Sequence, residues 1–384
     1  MTWTGKSAIG AALVVAALLL AACFAWILSL PSAPAPRVMP MLGQDEADAM
    51  IAALKPTKRQ RPLVAIIGIN DATETTDYLM PYGILRRADI ADVVALATER
   101  GQVILYPALK VEAEASVAEF DKRHPDGADY VIVPAMSRDD HPLVMQWLKD
   151  QAQKGAMIIG VCAGAKVVAA AGLLDGKRAT THWYYLEELL EKHPTIRYVA
   201  DRRFVVDGRI ATTTGITASM PMMLTLIEAI AGADKARQVG QELGLAEWDA
   251  RHDSRAFTFT RAFALTAITN LVAFWSHEQL GLPLVPGIDE VSLALAADAW
   301  SRTYRSQAAT FAGNEGAVTS RNGLRILPDQ VAMRWPQRER APDMEDQPPA
   351  EVLRRTLETI EARYGSRTAD FVAMQLEYPR GAQQ

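Results

Sequence analysis

The chain has 384 residues, 49% apolar and 22% charged, a globular balance that excludes a disordered or fibrous protein. A formal net charge of −5 leaves no basic footprint for nucleic acid. Two cysteines cannot build a disulfide framework. Cys23 lies in the N-terminal apolar run, which leaves Cys162 as the only thiol of the remaining chain.

Residues 8–30 form an unbroken apolar run behind Lys6, long enough to cross a hydrocarbon core of roughly 30 Å as a helix. This predicts an N-terminal transmembrane anchor over residues 1–30, placing the chain in the inner membrane with its globular part outside the cytoplasm. A cleaved signal peptide is a second reading of the run. A bacterial lipoprotein cleavage box at Leu20-Ala21-Ala22-Cys23 is a third. Residues 31–61, opening on Pro, Ala and Ser, read as a linker.

Residues 62–245 alternate strands and helices. Strands are expected over 63–69, 90–97, 130–134 and 157–161, with helices over 77–87 and 142–155. The apolar run at 63–69 suits a strand buried on both faces. Strands joined by helices imply parallel pairing by right-handed crossovers, hence an α/β fold with a doubly wound parallel sheet. A hairpin over 204–212 turns at Asp207-Gly208, and a helix follows over 217–232. Residues 246–384 read as a mainly helical extension, with helices over 258–275, 290–304 and 351–364. Breakers at 281–287 and a charged, proline-rich loop over 334–349 separate them. No internal repeat is visible.

The chemistry-bearing feature is Gly160-Val161-Cys162-Ala163-Gly164, which follows a buried strand and opens a helix. Small residues around one side chain on a tight strand-to-helix turn describe a nucleophile elbow in thiol form. Unpaired N–H groups at the helix start favour thiolate over thiol. A buried cysteine packing as a small hydrophobe is the alternative.

From this elbow through Ala171-Gly172-Leu173-Leu174-Asp175-Gly176 to Thr180-Thr181-His182-Trp183, the chain resembles the ThiJ/PfpI family of the class I glutamine amidotransferase-like superfamily. The nearest branch holds isocyanide hydratases and the sensor domains of AraC-type regulators. The resemblance covers residues 62–232. It implies a flavodoxin-like sandwich, a small-molecule substrate or ligand, no cofactor or metal, and a homodimer. It places Cys162 at the active-site turn, Asp77 as the acid beside it, and His182 as a histidine approaching it. A carboxyl touching the sulfur would share a proton with it and suit general acid work. Members carry two glycines after the third strand's proline, where this chain has Ala135 and Met136. Together with Ala163 these would line the substrate or oxyanion position, and Ala and Met would narrow it. The resemblance implies a hydro-lyase acting on a small electrophilic carbon, or a non-catalytic sensing module descended from one.

Other groupings carry less. His124, Asp126, Asp129, Asp139, Asp140 and His141 lack metal-site spacing. His252-Asp253 and Ser276-His277-Glu278 have no serine elbow to serve. Trp183-Tyr184-Tyr185 would line a pocket mouth or simply pack. Asp289, Glu290, Asp298, Trp300, Arg302 and Tyr304 read as surface or inter-helix pairs. No AraC-type helix-turn-helix is evident, so DNA is not an expected partner.

Overall fold

A computed structural model describes the chain apart from residues 1–2, 36, 343, 345–346 and 381–384, and apart from the side chains of residues 3–12, 16–17 and 20. Helices α1 (Trp3–Ser29) and α2 (Gln44–Leu54) lead into β1 (Leu63–Gly68), β2 (Asp71–Glu74) and α3 (Thr75–Ala88). Next come β3 (Asp92–Ala97), β4 (Gln102–Tyr106), β5 (Lys110–Glu112), β6 (Ala115–Ser116) and α4 (Val117–Arg123). The middle of the chain adds β7 (Tyr130–Val133), α5 (Pro142–Gln153), β8 (Met157–Gly160), α6 (Gly164–Ala170), β9 (Arg178–Ala179), α7 (Leu186–Lys192) and β10 (Arg197–Tyr198). It closes with β11 (Phe204–Asp207), β12 (Ile210–Thr213), α8 (Ser219–Ala231) and α9 (Ala233–Leu243). The last part holds α10 (Arg261–Val272), β13 (Glu278–Pro283), α11 (Glu290–Ser301), β14 (Ser306–Ala312), β15 (Val318–Thr319), β16 (Arg325–Leu327), β17 (Gln330–Val331), α12 (Pro349–Tyr364) and α13 (Ser366–Leu376).

The main sheet has seven strands in the order β11-β12-β8-β7-β1-β3-β6, and only the β11–β12 hairpin is antiparallel. Successive side chains of a strand point to opposite faces. In β1, Val64 and Ile66 join the core shared with α3, α8 and α11, while Leu63, Ala65 and Ile67 join the core under α4, α5 and α6. Helices on both faces explain why all six residues of β1 are buried. The parallel α/β architecture expected for this region is therefore what forms.

The membrane anchor requires correction. The N-terminal run does form helix α1, but among the described residues no helix is long and apolar enough to cross a membrane. Lys6 and much of the run lie outside the described side chains. The end of α1 is tied to the globular part. Ile27 is buried, Trp26 lies 6.0 Å from Phe259 ring to ring, and Arg261 Nη2 donates to the Leu28 carbonyl at 2.6 Å. The inner-membrane placement rested on that span and falls with it.

The C-terminal extension also differs from the expectation, because strands accompany its helices. The breaker-rich 281–287 segment begins inside β13, which pairs in parallel with β14. Gly281 fits a strand here because the Trp335 ring covers it: a Cβ at this position would sit 2.4 Å from that ring. Strand β16 pairs with β5 and extends a second sheet, β15-β16-β5-β4-β2. The 290–304 segment is not a surface helix. Every residue of α11 is buried, and Trp300 is 1% exposed.

If α11 is part of one cooperative core, Trp300→Ala should cost about 3–5 kcal/mol in urea unfolding. The transition should stay single for probes in both parts of the chain. A separate early transition would show an independently folding extension.

Candidate active site

The elbow is built as the small residues imply. Strand β8 ends at Gly160, and Cys162 takes the left-handed conformation with φ 55°. A non-glycine residue there is strained and must be held by its surroundings. Its N–H donates to Thr213 Oγ1 at 3.0 Å, and its carbonyl accepts from Thr181 Oγ1 at 3.0 Å. Gly164 cannot be replaced without movement, since a Cβ there would lie 1.9 Å from the Val133 carbonyl oxygen.

The sulfur sits in a closed place. Cys162 is 4% exposed. Burial pushes its thiol well above the ordinary value, and the charges of Asp77, Glu74 and Glu377 act in the same direction. The Ala163 N–H, hydrogen-bonded to the sulfur, opposes them. Burial and neighbouring charge thus act against the thiolate expected from the helix start. Helix α6 is one short segment of seven residues, and desolvation outweighs its field.

Asp77 is fully buried on the first turn of α3. Its Oδ2 accepts from the Ala135 N–H at 3.1 Å, and its Oδ1 has no partner. Burial, then the charge of Glu74, raises its pKa well above the carboxylate range, and Arg302 opposes this. Burial and the charge of Glu74 thus act in the same direction on the carboxyl and on the thiol. Ala135 therefore spends its N–H on Asp77 and holds none free for an oxyanion. Met136 bridges to Thr73 and packs against the opposite core. The Ala163 N–H points at the sulfur itself.

His182 comes to this end of the sheet but turns away from the thiol. Its Nδ1 accepts from the Tyr184 N–H at 3.2 Å, so its proton sits on Nε2 and is donated to the Gln375 carbonyl at 2.9 Å. Burial lowers its pKa and keeps the ring neutral. Tyr185 lies 6.0 Å from His182 ring to ring, and burial pushes its phenol up to about 12.

The sequence offers Glu74 and Asp71 as alternatives to Asp77 and reads Asp298 and Arg302 as paired charges, but it does not bring these groups or Glu377 to the site. Glu74 caps α3, with Oε2 accepting from the Asp77 N–H at 2.6 Å and Thr76 Oγ1 at 2.9 Å. Its Oε1 accepts from Arg302 Nη2 at 2.9 Å, and Arg302 Nε binds Asp298 Oδ1 at 2.7 Å. Asp298 and Arg302 are spaced i, i+4 on α11, the one local signal that pairs them. Burial pushes Asp298 up to about 8 despite Arg302. Glu377, just after α13, is 2% exposed and closes the other side. Its Oε1 accepts from the Trp183 N–H at 2.8 Å, its carbonyl accepts from Thr217 Oγ1 at 2.8 Å, and its Oε2 lies 3.4 Å from His252 Nε2.

Residues 64–229 match the DJ-1/PfpI family. The HTH-type transcriptional regulator CdhR of Pseudomonas aeruginosa is 31% identical over 169 residues, 43% of this chain and 48% of that protein. The isonitrile hydratase of Pseudomonas putida is 40% identical over 100 residues, 26% of this chain and 42% of that protein. The chain thus spans under half the length of each of these two relatives. Drosophila melanogaster DJ-1beta superposes with a TM-score of 0.44 at 24% identity, covering 49% of this chain and all of that one.

The raised carboxyl has a stability consequence. A group whose folded pKa lies above its unfolded value holds its proton more tightly when folded, so stability is lost as pH rises above the ordinary carboxylate range. Asp77→Asn should flatten this fall, which is at most about 1.4 kcal/mol per pH unit per group. Urea unfolding of both proteins from pH 4 to pH 8 measures it.

Proposed function

The chain carries a DJ-1/PfpI family domain over residues 64–229, and from this premise we propose that the domain uses Cys162 and Asp77 to add a thiol, then water, across a small electrophilic carbon. The observation that carries the reading is the unpartnered Oδ1 of a fully buried Asp77, which burial biases toward its neutral form, within electrostatic reach of a cysteine held in a left-handed turn. A neutral carboxyl can donate a proton that a carboxylate cannot. With an isonitrile, the sulfur would bond the terminal carbon as that carbon gains a proton, giving a thioimidate. Water would then add at the same carbon, and the departing sulfur would leave an N-substituted formamide. In this scheme Asp77 hands over and recovers the proton, and His182 serves the architecture rather than the chemistry.

One observation favours a second reading, a small-molecule-sensing module. Cys162 is 4% exposed, while Arg302, after α11, binds Glu74 and Glu377, after α13, binds Trp183. A site that opens only when a ligand displaces these groups couples binding to a conformational change.

The test is incubation of the full chain with a small alkyl isonitrile, following formamide by mass spectrometry and the Cys162 adduct by intact mass. The hydration reading predicts turnover that Cys162→Ala abolishes and Asp77→Asn lowers by about 10²-fold or more. An adduct without formamide selects the sensing module. Neither product from folded protein removes the hydration reading.

A further inference from the structure

We infer that residues 278–377 are a second, shortened copy of the α/β unit, folded against the first across a local two-fold axis, and that Arg302 of this copy is a positioning residue for Asp77.

The correspondence is one of register. Strands β13, β16 and β17 and helix α11 each begin 215 residues after β1, β5, β6 and α3 (63 to 278, 110 to 325, 115 to 330, 75 to 290). The pairings repeat as well. Strand β1 is parallel to β3 and β3 to β6, as β13 is to β14 and β14 to β17. The left-handed residue that closes α3, Asp89 with φ 50°, corresponds to Tyr304 with φ 57°. The hairpin bond from the Leu105 N–H to the Leu109 carbonyl reappears from Ser320 to Leu324.

A second offset relates the ends of the two units. Gly232 with φ 88° joins α8 to α9, and Gly365 with φ 87° joins α12 to α13, 133 residues later. Helix α9 runs 233–243 and α13 runs 366–376. Each is followed by a left-handed residue, Gly244 and Glu377, and by the same closing bond, Leu245 N–H to the Gly240 carbonyl and Tyr378 N–H to the Ala373 carbonyl. The difference between the offsets, 82 residues, is what the second copy lacks. The span of the first copy so shortened includes β7, β8 and the elbow.

The copies meet symmetrically, as a two-fold requires. In the β5–β16 pair Val111 lies opposite Ile326, its own counterpart, with Lys110 opposite Leu327 and Glu112 opposite Arg325. Two ion pairs are reciprocal: Arg302 reaches the α3 cap Glu74, and its counterpart Arg87 reaches the α11 cap Asp289. The chemistry is one-sided. Asp77 stands behind Glu74, whereas its counterpart in α11 is Ser292. Only Arg302 therefore acts through a cap on an acid. The face that a second molecule would need for this pairing is filled from within the chain.

The test is the midpoint of the Asp77 carboxyl, read by ¹³Cγ NMR on aspartate-labelled full chain, a readout that needs no substrate and stands whether or not the hydration reading does. The charged or titratable groups facing Asp77 are Glu74, Arg302, Asp298 and Cys162. Arg302→Gln should raise the midpoint by about one pH unit or more, tenfold in the protonation constant, and Arg302→Lys should keep it near wild type. Arg87→Gln, at the equivalent position, should leave it in place while lowering stability comparably. If Arg87→Gln moves the midpoint as far as Arg302→Gln, or neither moves it, the assignment of Arg302 is overturned. Should Arg302→Gln not fold, Arg302→Met takes its place: a midpoint raised above that of Arg87→Gln supports the specific role, and a midpoint equal to that of Arg87→Gln overturns it. Sedimentation of the full chain should give a single 41.9 kDa species. A dimer that Ile326→Arg dissociates would overturn the local two-fold.

Discussion

Glu74 is the carboxylate on which both halves of the molecule converge. One of its oxygens fastens the start of α3, and the other is held by Arg302 from α11. A charge at 7% exposure is costly unless paired, and removing one member of such a pair costs more than the pair contributes. This pairing fixes the first turn of α3, and with it the place of Asp77. The same low-dielectric surroundings push the pKa of both the Asp77 carboxyl and the Cys162 thiol upward. The positioning of the acid and its protonation state thus share one cause, the exclusion of water by elements that arrive from far along the chain.

The resting site is closed. The elbow and the acid are complete, yet the sulfur is buried, with Asp77, Glu74 and Glu377 within electrostatic reach. Gly215 makes room for Glu377, since a Cβ there would fall 2.7 Å from its side chain. The segment after α13 is anchored by a few hydrogen bonds rather than by a strand ladder. Short polar anchorage of this kind is where local opening is least costly.

Much of the first unit was legible. Apolar runs marked β1, β7 and β8, and the Gly-x-Cys-x-Gly spacing marked the elbow, because both depend on neighbours within a few residues. The position of Asp77 was legible through the family pattern. The partners of the site were not. Arg302 binds Glu74 across 228 residues, and Trp183 binds Glu377 across 194. The breakers in β13 concealed a strand because Gly281 answers to Trp335 rather than to a turn. The repeat escaped notice because residues 63–116 and 278–331 share only Arg87/Arg302, Ala97/Ala312, Gly101/Gly316, Val103/Val318 and Leu109/Leu324. Strand pairing and helix ends persist over such a span while identities are lost. The anchor reading failed for a different reason: apolar length alone does not say whether a helix end is free or docked.

The account rests on a neutral thiol within a sealed, acid-bearing site. The infrared S–H stretch of Cys162, taken as the difference between wild type and Cys162→Ala at pH 7, measures this directly. A clear S–H band that persists well above the ordinary cysteine pKa of about 8.5 is the predicted result. Absence of the band at pH 7 would mean a resting thiolate and would contradict the account.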